Sequence, residues 1–190
     1  MSGEEVVERF RRTGALLEGH FVLTSGLHST QYLQCALVLQ HPSEAEAFGR
    51  AIAEQFGAHA VEMVAAPAIG GIIIGWEVAR ALGVRSIWTE REEGRMTLRR
   101  GFTVRPGERV LVVEDVITTG GSTRETVEAL RDAGALVVGA ASIIDRSGGS
   151  SDVGVPRIAL ATLRVPAVTP DACPQCAAGV PAVKPGSRKK

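Results

Sequence analysis

The sequence predicts an α/β protein built on a parallel sheet of about five strands, with helices covering both faces. Two observations carry that expectation. From residue 61 onward, continuous apolar runs rich in β-branched residues alternate with segments of helical periodicity, and wholly apolar strands belong to sheets buried on both sides. The strongest run then stops at a loop of glycines and small polar residues. Sheets of this kind hold ligands beyond the carboxyl ends of their strands.

The elements follow in order. Residues 4–17 read as a helix, with Val6, Val7, Phe10 and Leu16-Leu17 set between charges. "HFVLTSGLHSTQYLQC" (20–35) alternates irregularly and turns at Ser25-Gly26, which predicts a hairpin or two short strands. A helix is expected over 43–56, after Pro42, with Ser43 as N-cap and Glu46 completing a capping box. "VEMVAA" (61–66) is a strand, 70–82 a loop leading into a helix, 84–90 a strand and 91–101 a charged loop. "RVLVVED" (109–115) is a strand, and 121–134 a helix closed by Gly134. Strands at 135–145 and 157–163 complete the pattern. Residues 165–190, rich in Pro, Ala and Gly, read as a covering arm.

Composition narrows the function. The chain has 190 residues, 45% of them hydrophobic, and a formal net charge of zero. That argues against a general nucleic-acid binder or a membrane-surface protein. The start, "MSGEEVVERF", is acidic and does not fit a signal peptide. No apolar stretch reaches membrane-spanning length. Three cysteines make no disulfide framework, so a cytoplasmic location with reduced thiols is expected.

The chemistry concentrates in "VLVVEDVITTGGSTRE" (110–125). A buried strand delivers Glu114 and Asp115 to the sheet edge. Thr118, Thr119, Gly120, Gly121 and Ser122 then lead into a helix, where backbone N–H groups are unpaired and the dipole is positive. The glycines allow close backbone approach, and the hydroxyls add donors, so this is a place for a phosphate. The acids suit sugar hydroxyls, or a metal held through water. A phosphate beside a diol is a ribose 5-phosphate. No lysine follows the glycines, so a Walker A loop is excluded, and G-x-G-x-x-G is absent here. A capped strand-to-helix connection would not call for two adjacent acids plus a loop with four hydroxyls.

The stretch resembles the phosphoribosyl diphosphate (PRPP) signature of the type I phosphoribosyltransferases. "FVLTSGLHSTQYLQ" (21–34) is similar to the amino-terminal hood segment of the orotate phosphoribosyltransferases, "TEREEGRMTLRRGF" (89–102) to their mobile loop, and "IIDRSGG" (143–149) to a strand end carrying an arginine for the orotate carboxylate. The resemblance implies the type I phosphoribosyltransferase fold, a Rossmann-like parallel sheet with a small hood. The chain would form one domain, 1–190, with a core at about 43–164 and a hood from about 1–40 plus the tail 165–190.

The implied reaction joins orotate to PRPP, giving orotidine 5′-monophosphate and diphosphate. PRPP would be held by Arg91, Glu114, Asp115, Val116, Ile117, Thr118, Thr119, Gly120, Gly121 and Ser122, and orotate by Thr118 and Arg146. Arg95 and Asp115 would be catalytic. Mg²⁺ would arrive on PRPP and water, with no direct protein ligand. The resemblance also implies a homodimer with shared active sites. On its own, Arg146 reads instead as an ion-pair partner of Asp145 or Asp152. The loop lacks the family's usual lysine and histidine and offers Arg91, Arg95, Arg99 and Arg100. Gly70 stands where many members have a lysine. The alternatives are a phosphoribosyltransferase for another base, or a PRPP-binding regulator without chemistry.

Smaller features remain. Cys173-x-x-Cys176 is half a zinc site, which Cys35 and a histidine, or a second subunit, could complete. With only one pair, two tail cysteines without metal are the expectation. His28 is placed at the pocket, while His20, His41 and His59 read as surface or capping residues. Trp76 and Trp88 read as core. Residues 187–190 read as a disordered basic end, and the role of Lys184 stays open.

Overall fold

The apolar runs assemble into two sheets. The structure is a computed structural model and describes residues 1–23 and 25–185. Thr24 of the hood pattern and the basic end 187–190 lie outside the described residues.

Helix α1 (Gly3–Arg12) starts on a capping box formed by Ser2 and Glu5. It is shorter than the sequence predicts. Gly14 turns the chain at φ +67°, and Leu16 and Leu17 open strand β1 (Leu16–Val22) instead of closing the helix. Strand β2 (His28–Leu33) returns antiparallel to β1, as expected around Ser25-Gly26, with Leu16 opposite Leu33 and Val22 opposite His28. A short helix α2 (Cys35–Leu39), not foreseen, leads to α3 (Pro42–Phe56). The N-cap of α3 is His41, not Ser43, and no side chain caps it. Pro42 occupies the first turn, where its missing N–H costs nothing, and this pushes Ser43 into the helix. Glu46 pairs with Arg50 and Arg80 instead of reaching back.

The large sheet contains β3 (Met63–Pro67), β4 (Arg85–Glu92), β5 (Arg95–Leu98), β6 (Arg109–Ile117), β7 (Leu136–Asp145) and β8 (Arg157–Thr162). Its order is β5-β4-β3-β6-β7-β8, with five parallel strands and an antiparallel edge. That edge corrects the charged loop expected over 91–101. Glu93 and Gly94 both take positive φ, 49° and 84°, which closes a two-residue hairpin between Glu92 and Arg95. Charged residues on an exposed edge strand discourage pairing with other chains, so they hid the strand.

Helices α4 (Gly71–Leu82) and α5 (Gly121–Asp132) cover opposite faces. The pleat of β6 shows this. Leu111 and Val113 pack with Phe10, Phe48, Ile52, Ile74 and Val78. Val110 and Val112 point the other way, toward Val127 and Leu130 of α5.

After β8 the tail forms β9 (Ala167–Val168) on the outer edge of β2, a 3₁₀ turn, and helix α6 (Pro174–Ala177). Val183 then bridges Phe21 on the outer edge of β1. The described part of the tail therefore pairs with both edges of the small sheet. Among the described residues no helix is long and apolar enough to cross a membrane. Trp88 packs edge-on against Phe102. Trp76 is not core: it is 59% exposed on α4.

Candidate active site

Strand β6 carries Glu114 and Asp115 to the carboxyl edge of the sheet. Glu114 is buried and accepts from the Ser122 hydroxyl at 3.0 Å, which ties the strand end to the first turn of α5. The Asp115 carboxylate accepts from the Val116 N–H at 2.8 Å. Burial pushes the pKa of both carboxyls up, and at Glu114 the neighbouring Asp115 charge raises it further. Two acids held this close carry an electrostatic cost that a diol or a cation would offset.

Gly70 faces them. A Cβ there would lie 2.8 Å from both Asp115 carboxylate oxygens, so the glycine gives Asp115 its room.

The loop after β6 is shaped for an anion. Gly120 takes φ +79°, and a Cβ on it would meet Val153 at 2.9 Å. The loop is braced from behind, where the Ser151 hydroxyl donates to the Thr118 carbonyl at 2.9 Å. Among the described residues, the N–H groups of Thr119, Gly120, Gly121 and Ser122 find no protein acceptor. They lie at the opening of the twelve-residue helix α5, where unpaired N–H groups suit an anion.

A cavity of about 590 Å³ lies between this edge and the small sheet, within the usual range for small-molecule sites. The large sheet contributes Asp115, Val116, Thr118, Thr119 and Arg146. Leu23, Ser25, Tyr32, Leu33, Gln34 and Cys35 form the opposite wall. All of these but Cys35 belong to the hood segment 21–34, although none was singled out as a site residue. Cys35 is buried, and burial together with the Asp115 and Glu114 charges pushes its thiol pKa well up. Ile117 is 1% exposed and turned into the core.

Arg146 follows the end of β7. Its Nε is buried without a hydrogen-bond partner among the described residues. Burial lowers its pKa, while Tyr32 and Cys35 nearby act in the opposite direction. The ion pair with Asp145 or Asp152 that Arg146 suggests in isolation is not made. Arg157 takes Asp145 and Arg124 takes Asp152.

The arginine hairpin lies apart from this cavity. Arg91 pairs with Glu125 at 2.9 Å, Arg99 with Glu92 at 3.4 Å, and Arg100 with Glu90. Arg95 alone of the four makes no ion pair among the described residues, and it lines a separate cavity of about 370 Å³ between β5 and α5. Two of the four histidines, His28 and His20, depart from expectation. His28 does not line the site cavity, and His20 is buried, not at the surface. His41 caps α3 through its backbone, and the His59 ring packs on Phe56.

Two acids at a strand end, unpaired N–H groups at a helix start and a half-buried arginine with no acid partner among the described residues thus meet along one edge of the large sheet. Comparisons with known proteins identify the family. Residues 37–154 match the phosphoribosyl transferase domain model, and the chain belongs to that family. Orotate phosphoribosyltransferase of Pelotomaculum thermopropionicum is 58% identical over 189 residues, covering 100% of both chains. That of Desulforamulus reducens is 53% identical, covering 100% of this chain and 99% of the relative. Within the wider family the chain therefore sits among the orotate phosphoribosyltransferases. The crystal structure of that enzyme from Aeropyrum pernix superposes with a TM-score of 0.69 at 27% identity, covering 84% of this chain and 94% of the other. The Mycobacterium tuberculosis enzyme in complex with PRPP gives 0.67 at 27% identity, with the same coverage.

Proposed function

We propose that this chain transfers the 5-phosphoribosyl group from PRPP to orotate, giving orotidine 5′-monophosphate and diphosphate in pyrimidine synthesis. The observation that carries the choice of base is Arg146. It is a half-buried guanidinium without an acid partner among the described residues, opening on the same cavity as the acids of β6. An anionic planar base satisfies it through a bidentate carboxylate contact. A neutral base would leave it desolvated and unpaired.

In this reading the N–H groups and hydroxyls of residues 118–122 hold the 5-phosphate. Glu114 and Asp115 accept from the ribose hydroxyls, which favours their ionised forms. Orotate then lies between Thr118 and Arg146. A ring nitrogen of orotate forms the new bond to C1 of the ribose as the bond from C1 to diphosphate oxygen breaks; the electron pair leaves with diphosphate, which takes up the proton that the nitrogen gives up. Asp115, beside the ribose, stabilises the positive charge developing on the sugar. Arg91 and Arg95 on the β4–β5 hairpin stabilise the negative charge on the leaving group, and closing the hairpin excludes water from PRPP.

The oxygen-only donor set at the end of β6, with two carboxylates of raised pKa, suits a hard cation. Mg²⁺, carried on PRPP and water, would supply charge neutralisation at diphosphate. The reading includes a single domain with a hood made of residues 1–40 and the tail, and a cytoplasmic enzyme. It also includes a homodimer in which the hairpin of one subunit serves the site of the other. The position of Arg95 away from its own cavity supports the shared site. So does an exposed apolar stripe of Ile69, Ile73 and Trp76 at 85%, 47% and 59%.

The test is the loss of orotate absorbance with PRPP and Mg²⁺, run beside uracil, hypoxanthine and adenine. Consumption of orotate alone supports the assignment. Consumption of another base instead, or of none by folded protein, refutes it.

A further inference from the structure

We propose that His20, His28, Cys173 and Cys176 bind a zinc ion that fastens the carboxyl-terminal segment to the β1–β2 sheet. One donor atom from each of the four residues lies within 4.8 Å of every other, and three of the four residues are buried. Among the described residues no other group of three or more such side chains converges in this way. His20 comes from β1 and His28 from β2, brought side by side by the register that sets Val22 opposite His28. Cys173 caps α6 and Cys176 lies within it. Cys35, which the sequence offers as a third sulfur ligand, lies instead in the site cavity beside Asp115.

The distances suit a tetrahedral ion. With Zn–S near 2.3 Å and Zn–N near 2.0 Å, the nitrogen-to-sulfur edges of a tetrahedron come to about 3.5 Å. The Cys173 sulfur lies 3.4 Å from His20 Nε2, and the Cys176 sulfur lies 3.7 Å from His20 Nε2 and 3.2 Å from His28 Nδ1. The two imidazole nitrogens face each other at 2.8 Å, shorter than the nitrogen-to-nitrogen edge of about 3.3 Å in the same tetrahedron, so the rings would move apart slightly on binding.

The surroundings set the chemistry. His20 Nδ1 lies 2.8 Å from the Val180 carbonyl, which can only accept, so Nδ1 carries the proton and the Nε2 lone pair faces the cluster. Metal-bound histidines are oriented in this way. Both cysteines are free thiols. On binding, each gives up its proton, and two thiolates neutralise the dication, which suits a mostly buried position. Two nitrogens and two sulfurs match the zinc preference and exclude Mg²⁺. Four protein ligands complete the coordination, so the site is structural and has no place for a substrate.

The placement gives it a purpose. The tail pairs with β2 through β9 and with β1 through Val183, and the four ligands tie these clasps together across the sheet. The same sheet supplies Leu23, Tyr32 and Leu33 to the wall of the site cavity. The ion would hold that wall in place.

The test uses the full, untagged chain purified in reductant without chelator and then dialysed. Elemental analysis is expected to find roughly one zinc per chain. Exchange with Co²⁺ should give sulfur-to-cobalt charge transfer in the near ultraviolet and the strong visible bands of a tetrahedral site. Cys173→Ser and Cys176→Ser should lose the metal and melt at lower temperature, and Cys35→Ser should keep it. Wild-type protein that stays zinc-free after reconstitution with zinc chloride and shows no tetrahedral cobalt spectrum overturns the proposal, whether or not the variants fold. So does a Cys173–Cys176 disulfide that persists in reductant, or full zinc content in both cysteine variants.

Discussion

Arg157 donates to the Asp145 carboxylate at 3.0 Å, one residue before Arg146. Asp145 also accepts from the Ser147 N–H and hydroxyl at 2.7 and 2.6 Å and from the Gly149 N–H at 2.9 Å. Burial alone would push this carboxyl up, but Ser147 and Arg157 outweigh it and hold its pKa below the ordinary value. The acid nearest to Arg146 in the chain is thereby saturated. A guanidinium keeps its charge at any accessible pH, so Arg146 lines the cavity as a cation with no acid partner among the described residues.

Replacing Arg146 by alanine should therefore act on orotate and little else. Losing one partner of a desolvated charged contact costs about 2 kcal/mol or more, so the KM for orotate should rise roughly 30-fold or more. The KM for PRPP should move far less, and the melting temperature should not fall, because no partner is orphaned in the free protein. Arg157→Ala is the contrasting variant. It strips Asp145 of its cation, should cost about 3 kcal/mol of stability, and frees Asp145 to compete for Arg146. Steady-state kinetics with each substrate varied, beside thermal melts, separate the two. An unchanged orotate KM in Arg146→Ala would remove the residue from the pocket.

Glu114→Gln should weaken a pH trend. Burial and the Asp115 charge raise the Glu114 pKa above 4.5 in the folded chain. Folding therefore favours the neutral form. The stability that this group contributes is present below its unfolded value and is lost as pH rises through the folded one. Glutamine cannot ionise and can still accept from Ser122. The variant should thus gain on the wild type in ligand-free melts as pH rises from about 5 to about 8, while losing PRPP affinity. A variant that instead falls behind the wild type as pH rises would contradict the assigned direction.

Arg95→Ala should lower kcat by on the order of 10²-fold with folding intact. If sites are shared across a dimer, mixing this variant with Arg146→Ala should restore activity. In the mixed dimer one site then holds both wild-type arginines and the other holds neither. Random exchange of subunits would recover roughly a quarter of the wild-type activity. No recovery after demonstrated subunit exchange would mean that Arg95 serves its own chain, and near-normal turnover of Arg95→Ala alone would end its catalytic role.

The parallel core was legible in the sequence because its strands are buried on both faces. Runs such as 109–115 and 135–145 carry no competing pattern, and Glu114-Asp115 followed by Thr118–Ser122 stood out as chemistry. What escaped depended on local competition or on distant contacts. Leu16 and Leu17 continue the helical spacing of α1, but Gly14 turns the chain first. Ser43 and Glu46 spell a capping box, but Pro42 has already begun the helix. Trp76 fits the apolar stripe of α4, yet that stripe is wider than the face that packs. Tyr32 and Cys35 reach the cavity only because the small sheet folds over β6. The convergence of His20 and His28 with Cys173 and Cys176 needs both a strand register and a tail crossing some 150 residues of sequence, which no local pattern records.

The packing of α3 on α4 supplies a test of the fold independent of the site. A Cβ on Gly49 would lie 2.6 Å from Glu77 Cβ, 2.8 Å from the Glu77 carbonyl carbon and 3.0 Å from its oxygen. Alanine in a helix interior gains up to about 1 kcal/mol over glycine, so propensity alone predicts a more stable Gly49→Ala. The contact decides otherwise. Two of the three atoms are main chain, α4 is fixed in the core by Ile74 and Val78, and Glu77 is further anchored by Arg80 at 2.7 Å. Overpacking of this kind costs about 1–3 kcal/mol, and it falls on an interface that cannot give way at a side-chain tip. Gly49→Ala should therefore unfold at lower urea concentration, with both substrate KM values unchanged because neither helix surface lines the cavity. A stabilised variant would mean that the helices lie farther apart than described.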